Sequence, residues 1–345
     1  MININKISFR YKKPPVIIAE ISGNHSGDKK KFLSLIKSAC LNGADLVKIQ
    51  TYEPQDITLK SYQKEFQINK GIWKNKYLWD LYKKSCTPFD WHEDAFKLVK
   101  KYNKILFSSP FSIRAVDFLE TFKVQLYKIA SFEITDYKLI DYIASKKKPI
   151  ILSTGMSSKK EISTTLKIIK KYHNKVIIMH CVSGYPTKLD ETNLGRITEL
   201  KKKFKNHLIG ISDHTKDIIS SISSVPLGVV AIEKHFKLDD NIKTYDSEFS
   251  ITPKELRKLK EYTKKISLSI NKNKSSQNEK NVSIKLRRSI FAIKDIQKGE
   301  VFTTKNIDTL RPMIGLPASE YFKILGKKSN IKFKAGTAIK FKINS

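Results

Sequence analysis

The feature that most constrains this chain is the regular alternation of short apolar runs with helical patterns. Apolar runs that are flanked by helices are typical of buried parallel strands. The helical patterns end on ordinary signals, such as Gly43 directly after a helix near Lys29–Asn42. We predict eight strands from the apolar runs: Val16–Ile21, Leu46–Gln50, Ile105–Ser109, Leu126–Ala130, Pro149–Ser153, Val176–His180, Leu208–Ile211 and Val229–Ile232.

Eight strands that alternate with eight helical segments predict an α/β protein with a (β/α)8 TIM barrel. A doubly wound open sheet is the alternative, but no GxGxxG sequence follows the first strand, so the barrel is favoured. In such a barrel the carboxyl ends of all strands meet at one rim, where active sites are built. Functional residues are therefore expected at the strand ends.

Composition divides the chain into two domains. We assign residues 1–270 to the barrel and residues 271–286 to a linker, because residues 271–280 are polar and low in complexity. Residues 287–345 carry short β-like runs separated by glycine turns, which predict a small, mostly β domain.

Within the barrel, the long connection from Tyr52 to about Pro88 is rich in aromatic residues, and we interpret it as a partly helical lid or wall.

The net charge of +33 does not by itself predict a nucleic-acid-binding protein. Arginine, which base and phosphate recognition favours, is scarce, and lysine is spread over every helix. We therefore expect no nucleic acid partner, although the positive field would attract anionic substrates.

No segment has the apolar length of a membrane span, and residues 1–13 do not resemble a signal peptide. Three scattered cysteines, Cys40, Cys86 and Cys181, indicate a cytoplasmic protein without disulfides.

Histidines follow the last two predicted strands. His214 comes after the seventh strand and His235 after the eighth, so both are expected at the same rim. Two imidazoles with an open position between them would suit a divalent metal. The alternative is that one or both are merely hydrogen-bonded histidines.

Charged side chains also occur within strands that the barrel would bury. Lys48 and Lys128 are the cations, and a buried charge is costly unless it is paired. Hydroxyl groups accompany them, from Ser109, Ser131, Ser153 and Ser212. Ammonium and hydroxyl groups together suit a phosphate and a carboxylate, although either lysine could instead form a Schiff base. Glu20 and Glu133 are candidate bases, or ion-pair partners of the lysines.

A set of short motifs occurs in order along these strand ends. They are Ala19–Ile21 with Asn24-His25, Lys48–Thr51, Ser109–Phe111, Tyr127–Ser131, Ser153–Met156, His180-Cys181 with Tyr185-Pro186, Ser212–His214 and Glu233–Phe236. Together they resemble the sialic acid synthase family, whose members condense phosphoenolpyruvate with an N-acylated amino sugar. The C-terminal part, with Arg288-Ser289, Lys298–Glu300 and Leu310–Pro312, is similar to the antifreeze-protein-like (SAF) domain of that family.

Within the family, Gln50–Pro54, Trp73–Tyr82 and Thr87–His92 resemble the branch that makes pseudaminic acid. The acceptor implied is 2,4-diacetamido-2,4,6-trideoxy-β-L-altropyranose, attacked at its open-chain aldehyde by C3 of phosphoenolpyruvate. The alternative is the same chemistry on another N-acyl sugar, which would give N-acetylneuraminic or legionaminic acid. Ser183, where the neuraminic branch tends to have Asn, weighs against N-acetylmannosamine as the acceptor.

The resemblance also implies roles for individual residues. Phosphoenolpyruvate would be held by Lys48, Ser109, Lys128, Ser131, Ser153, Ser183 and Ser212. The amino sugar would face Gln50, Glu133, Tyr185, Asp246 and, from the second domain, Arg311. His214 and His235 would bind a divalent metal, manganese or a substitute such as Mg²⁺ or Co²⁺, and Glu20 or Glu133 would act as base. The family further implies a domain-swapped homodimer, in which the C-terminal domain covers the partner's active site.

Overall fold

The computed structural model describes residues 1–270, 279 and 281–340. The chain separates into two compact units, Met1–Asn271 and Lys272–Ser345. Of the linker predicted at 271–286, residues 271–278 and 280 lie outside the described residues.

The first unit is built on a closed barrel of eight parallel strands, which confirms the predicted TIM barrel. The strands of this unit, in chain order, are β1 Ile2–Ile4, β2 Ile7–Phe9, β3 Val16–Glu20, β4 Leu46–Thr51, β5 Ile105–Pro110, β6 Tyr127–Ile129, β7 Ile150–Ser153, β8 Val176–Cys181, β9 Leu208–Asp213 and β10 Ala231–His235. The barrel closes because β10 pairs with both β9 and β3. His235 is the last residue of β10, opposite Glu20 at the end of β3.

Helices follow the strands on the outside of the barrel. They are α1 Lys29–Leu41, α2 Leu78–Ser85, α3 His92–Lys101, α4 Ile113–Thr121, α5 Tyr137–Ser145, α6 Lys159–Lys170, α7 Gly195–Lys203, α8 Ile219–Ser223 and α9 Pro253–Ile270. Helix α8 begins only at Ile219, because the Asp213 and Asp217 side chains accept hydrogen bonds from the amides of Thr215 and Ile219 in the turn that precedes it. In the described part of the chain, no helix combines the length and the apolar character needed to cross a membrane.

The amino-terminal half of the barrel interior is apolar. Its core includes Ile18, Leu46, Phe107, Ile151, Ile177, Met179 and Leu208. The antiparallel hairpin of β1 and β2, which the polar N-terminal sequence did not predict, packs Ile4 and Phe9 against this core. The polar half of the interior is therefore confined to the carboxyl ends of the strands.

We expect Phe9→Ala to lower the free energy of unfolding by about 3–5 kcal/mol, because the change empties a fully buried site. Urea unfolding followed by circular dichroism measures this difference. The matched control is Phe322→Ala, whose ring is 84% exposed and whose loss should change stability by less than about 0.5 kcal/mol. Equal stability of the two variants would contradict a structural role for the hairpin.

The second unit has a core of its own. Its elements are β11 Ser289–Ala292, β12 Ile307–Leu310 and a short helix α10 Tyr321–Ile324, with β11 and β12 paired antiparallel. Ile290, Phe302, Ile324 and Phe333 are buried within it. The predicted small and mostly β domain is confirmed. Arg311 directly follows β12 and is exposed.

Candidate active site

Four charged side chains meet inside the carboxyl end of the barrel. Lys48 Nζ lies 2.7 Å from Glu20 Oε2 and 3.4 Å from Glu233 Oε1. Lys128 Nζ lies 3.5 Å from the same oxygen of Glu233. All four side chains are nearly or fully buried, and buried charges persist when they are paired in this way. We call Glu20, Lys48, Lys128 and Glu233 the ion network.

The alternation of side chains along β10 brings Glu233 into this network. Successive residues of a strand point to opposite sides, so Glu233 and His235 face the interior while Lys234 faces the helices. Lys234 Nζ there lies 3.3 Å from Asp213 Oδ2, on the outer side of the neighbouring strand β9. Sequence reasoning did not assign a role to Glu233, although its spacing of two from His235 was a usable signal.

Hydroxyl groups surround the ion network, as the sequence predicted. Lys48 Nζ donates to Ser109 Oγ at 3.3 Å, and Lys128 Nζ donates to Ser153 Oγ at 2.7 Å. Ser212 Oγ donates to Glu233 Oε1 at 3.1 Å. These three hydroxyl groups are therefore close enough to the lysines to donate hydrogen bonds to an anion bound there.

The two lysines differ in their electrostatic environment. Burial alone would lower the pKa of the Lys48 ammonium, but the carboxylates of Glu20 and Glu233 outweigh burial and raise that pKa. Burial dominates at Lys128 and lowers its pKa, because Glu233 offsets it only in part and Lys48 repels it. The charge of Lys128 is thus less fully compensated than that of Lys48, and an added anion would stabilise it more.

Ser131 and Ser183 form a separate pair of hydroxyls against the backbone of Gly155. The Gly155 amide donates to Ser131 Oγ at 3.0 Å, and Ser183 Oγ is buried without a hydrogen-bond partner. A Cβ atom on Gly155 would lie 2.9 Å from Ser131 Oγ and still closer to Ser183 Oγ. A side chain at position 155 would therefore displace these hydroxyls, and with glycine the loop after β7 presents an amide and two hydroxyls to one small space.

His214 and His235 lie side by side, with ring centroids 5.3 Å apart. His214 Nδ1 donates to the Val182 carbonyl at 2.9 Å, which leaves Nε2 as its free nitrogen. His235 Nδ1 is buried without a hydrogen bond, 3.9 Å from Asp246 Oδ2. Burial, reinforced by nearby cations such as His214, holds the pKa of His235 well below its usual value, so this ring is neutral.

These two rings fit a divalent metal as far as the chain supplies ligands. His235 has the neutral imidazole with an orphaned nitrogen that binds metals. Although burial opposes it, the neighbouring Cys181 raises the pKa of His214, so this ring would release a proton when an ion binds. Within residues 1–270, 279 and 281–340, however, no group of three or more His, Cys, Asp or Glu side chains is arranged to hold an ion. An ion at His214 and His235 would therefore take its remaining ligands from water or substrate.

A cavity of about 550 Å³ adjoins His235. It is lined by Gln50, Glu133, Tyr185, His235 and Asp246, together with residues of the connection between β4 and α3. Four of the five residues predicted to face a sugar are thus brought together in one space. The fifth, Arg311, belongs to the second unit.

The two candidate bases have different surroundings. Glu20 is held by Lys48 and by Gln50, whose Nε2 donates to Glu20 Oε1 at 3.2 Å. Glu133 lines the cavity, and its Oε2 is buried without a hydrogen-bond partner. Burial raises the pKa of Glu133 to about 7. Glu133 can therefore exchange a proton near neutral pH, whereas Glu20 is engaged in an ion pair.

Other polar residues near the strand ends face away from the interior. His180 Nε2 is hydrogen-bonded to the Thr192 carbonyl at 2.8 Å, and Ser108 Oγ bonds Thr51 Oγ1 at 2.6 Å. Cys181, by contrast, faces inward and places Sγ 3.8 Å from His214 Nδ1. No pattern in the sequence had marked this thiol as a neighbour of the histidine.

Comparison with known proteins identifies relatives of this chain. The model of the NeuB family matches residues 35–275, and that of the SAF domain matches residues 287–342. The chain is 38% identical over 335 residues to the pseudaminic acid synthase of Campylobacter jejuni, covering 96% of this chain and 97% of that protein. It is 39% identical over 333 residues to the pseudaminic acid synthase of Helicobacter pylori, covering 95% and 97%.

A solved structure agrees with these relatives. The crystal structure of N-acetylneuraminic acid (sialic acid) synthetase from Leptospira borgpetersenii in complex with citrate shares 31% sequence identity, with a TM-score of 0.73. The match covers 81% of this chain and 93% of that one. The family resemblance carried by the strand-end motifs is thereby confirmed, and the chain belongs to the NeuB family.

Proposed function

We propose that this protein is a pseudaminic acid synthase. It condenses phosphoenolpyruvate with 2,4-diacetamido-2,4,6-trideoxy-β-L-altropyranose and water to give pseudaminic acid and phosphate. The observation that carries the proposal is the buried ion network, ringed by serine hydroxyls and adjoining a cavity large enough for a sugar. The relatives that bear this name align with nearly the whole chain.

Phosphoenolpyruvate carries a phosphate and a carboxylate, and the site offers two ammonium groups. Lys128 has the larger demand for an anion because burial lowers its pKa, and Lys48 is already paired with Glu20. The hydroxyls of Ser109, Ser153 and Ser212 are hydrogen-bonded to members of the ion network. The hydroxyls of Ser131 and Ser183 lie close to Gly155. Charge-assisted hydrogen bonds from such donors hold phosphate and carboxylate oxygens strongly.

The chemistry follows from the charges that develop. C3 of phosphoenolpyruvate forms a bond to the aldehyde carbon of the open-chain sugar, and positive charge develops at C2. The π bond of the aldehyde breaks, and its oxygen takes up a proton to become a hydroxyl. Water adds to C2 and loses a proton, and the tetrahedral intermediate then expels inorganic phosphate. His214 and His235 would hold a divalent ion, manganese or a substitute such as Mg²⁺ or Co²⁺, which would supply Lewis-acid polarisation of the sugar aldehyde.

We infer that Glu133 takes the proton of the attacking water. Its carboxylate lines the cavity, has an oxygen without a partner and titrates near neutral pH. A base whose pKa lies near the working pH is effective in proton transfer. Glu20 instead keeps Lys48 charged, since its carboxylate lies 2.7 Å from that ammonium.

Gly155→Ala is expected to raise the Kd for phosphoenolpyruvate by at least about tenfold, because the added methyl group displaces the Ser131 and Ser183 hydroxyls. Isothermal titration calorimetry measures this Kd. The matched control is Gly195→Ala, where a methyl group would meet no atom closer than 3.9 Å. If Gly155→Ala bound phosphoenolpyruvate as tightly as Gly195→Ala, these hydroxyls would not belong to the anion site.

The proposed function is tested by phosphate release from phosphoenolpyruvate in the presence of manganese. The assay is run with the altrose-configured diacetamido sugar and, separately, with N-acetylmannosamine, each with a chelator control. We expect chelator-sensitive release with the first sugar alone. Release with N-acetylmannosamine alone would keep the reaction class and make the protein an N-acetylneuraminic acid synthase, and release from the legionaminic precursor alone would make it a legionaminic acid synthase.

We further propose that the enzyme is a homodimer in which Arg311 acts on the partner's site. Arg311→Ala should then lower kcat/KM for the sugar by about 10–100-fold. Arg287→Ala, which changes another exposed arginine of the same unit, should not. Mixing Arg311→Ala with Lys128→Met chains separates action in trans from action in cis. A mixed dimer has one intact site only if Arg311 of one chain acts on the barrel of the other chain. An inactive mixture would therefore contradict the action of Arg311 in trans.

A cytoplasmic location is proposed on the state of the cysteines. Cys40, Cys86 and Cys181 are all free thiols, and two of them are buried. Free buried thiols are usual where the environment is reducing. Localisation of a tagged chain by cell fractionation tests the location.

A further inference from the structure

The cavity has two chemically different sets of lining groups. Its titratable and amide side chains at the barrel rim, Gln50, Glu133, His235 and Asp246, come from strand ends and the loops that follow them. The connection between β4 and α3 contributes Ile57, Ile68, Leu78 and Leu81 to the same cavity. We call these four residues the apolar wall.

The apolar wall is held in place by contacts to the loop after β10 and to the neighbouring helix. Trp73 Nε1 donates to the Tyr245 carbonyl at 2.9 Å, and the Trp73 ring packs 5.4 Å from the ring of Tyr185. At its start, the connection is bound to Arg114, whose guanidinium lies 2.7 Å from Glu53 Oε2. The wall therefore belongs to a fixed part of the fold.

Two of the hydroxyl groups near this wall, those of Tyr52 and Ser85, are already engaged. Tyr52 Oη bonds Ser85 Oγ at 3.0 Å, and Ser85 Oγ also donates to the Leu81 carbonyl at 2.8 Å. The four aliphatic side chains offer no hydrogen-bonding group, so a substrate hydroxyl placed directly against them would lose its hydrogen bonds to water and gain none in return. A methyl group in the same place would instead gain from burial.

We propose that the apolar wall selects acceptors that carry methyl groups, in place of hydroxyls, at the end remote from the aldehyde. This inference rests on the proposed function, because the reaction fixes the aldehyde carbon beside the ion network and the histidines. The carbons farthest from the aldehyde then extend toward the wall. A 6-deoxy sugar with a second acylamino group presents a C6 methyl and an acyl methyl there, whereas a hydroxyl-rich hexosamine presents hydroxyls.

The first test leaves the protein unchanged. The wild-type enzyme is assayed with two 2,4-diacetamido sugars of the same configuration that differ only in having a methyl or a hydroxymethyl group at C5. We expect kcat/KM to favour the deoxy sugar by about 10–200-fold, the range that an apolar pocket achieves for one small group. Equal kcat/KM values would overturn the selection.

The second test changes the wall. Leu78 lies at the start of α2 and is half-buried, so Leu78→Gln keeps a helix-forming residue of similar size. We expect this variant to lower the preference for the deoxy sugar about tenfold while the KM for phosphoenolpyruvate stays constant. Leu268→Gln is the control, because Leu268 is 55% exposed on α9 and should leave the preference unchanged.

The outcomes separate this inference from the function on which it rests. Turnover of the diacetamido sugar with no C6 preference, and no effect of Leu78→Gln, would overturn the role of the apolar wall and leave the synthase reaction standing. Absence of phosphate release with every N-acyl sugar would overturn the proposed function and the inference together.

Discussion

Replacing Lys128 with Met is expected to reduce kcat/KM for phosphoenolpyruvate about a thousandfold. Met preserves the length of the side chain and removes the ammonium group that lies 2.7 Å from Ser153 Oγ and 3.5 Å from Glu233 Oε1. Truncating one partner of a buried charge pair costs about 2–5 kcal/mol, and each 1.4 kcal/mol is a factor of ten. Steady-state kinetics, with calorimetric titration of phosphoenolpyruvate, measures the loss.

The matched control is Lys234→Met, on the strand β10. Lys234 is as deeply buried as Lys128 but faces the helices, where it lies 3.3 Å from Asp213 Oδ2. Its removal leaves Asp213 as a buried charge without its cation and should lower the free energy of unfolding by about 3–5 kcal/mol. Its Kd for phosphoenolpyruvate, measured below the unfolding transition, should stay near the wild-type value. Equal losses of affinity in both variants would contradict a specific anion site at Lys128.

The same lysine distinguishes the synthase from a Schiff-base aldolase. In the synthase mechanism Lys128 acts through its charge, so treatment with borohydride in the presence of pyruvate should leave it unmodified. Mass spectrometry of the digested protein detects a reduced adduct if one forms. A pyruvyl adduct on Lys128 would favour the aldolase mechanism.

Replacing Glu133 with Gln should lower kcat about 10²–10⁴-fold with little change in the KM for phosphoenolpyruvate. The amide has the shape of the carboxylate but cannot accept a proton, and general bases contribute a factor of this size. The Glu133 carboxyl lies in the sugar cavity and outside the ion network, so anion binding should persist. Stopped-flow phosphate release and titration of phosphoenolpyruvate provide the two readouts.

The pH dependence tests the same assignment. Burial raises the pKa of Glu133 from its usual 4.5 to about 7, so the base is protonated and inactive below about pH 7. The wild-type kcat/KM for the sugar, which reports groups of the free enzyme, should rise with pH through about 7, and Glu133→Gln should lose that dependence. An acid limb of unchanged midpoint in the variant would show that another group titrates.

The raised pKa also predicts a change of stability. Between about pH 4.5 and 7, the folded protein retains a proton on Glu133 that the unfolded chain has released. The stabilisation that this proton supplies is fully present below pH 4.5 and is lost as the pH rises through 7. Glu133→Gln should remove this part of the pH dependence of unfolding. Urea unfolding of both proteins at several pH values measures it.

The sequence by itself determined the barrel and most of the groups at its rim. Eight apolar runs separated by helical patterns leave few other arrangements, and parallel strands in a closed barrel bring their carboxyl ends together whatever the details of packing. Lys48, Lys128 and the serines at the strand ends could therefore be placed near one another from strand position alone. The small second domain could be recognised in the same way, from the change in pattern after the linker.

Only the tertiary structure decided which polar residues face the interior. Parallel barrel strands are buried on both sides, so their sequences are nearly continuous apolar runs and carry no alternation that marks the inner face. Glu233 and Lys234 are adjacent in sequence, yet one joins the ion network and the other pairs with Asp213 outside the barrel. Likewise, His180 faces outward whereas Cys181 faces His214.

Which charged side chains form ion pairs could not be predicted from the sequence either. Whether Glu20, Glu133 or Glu233 neutralises a given lysine depends on distances across the barrel, between residues far apart in the chain. The register of each strand and the closure of β10 against β3 set those distances. Local sequence therefore determined which chemical groups are present at the rim, and barrel closure determined which of them are paired and which is left free to act as a base.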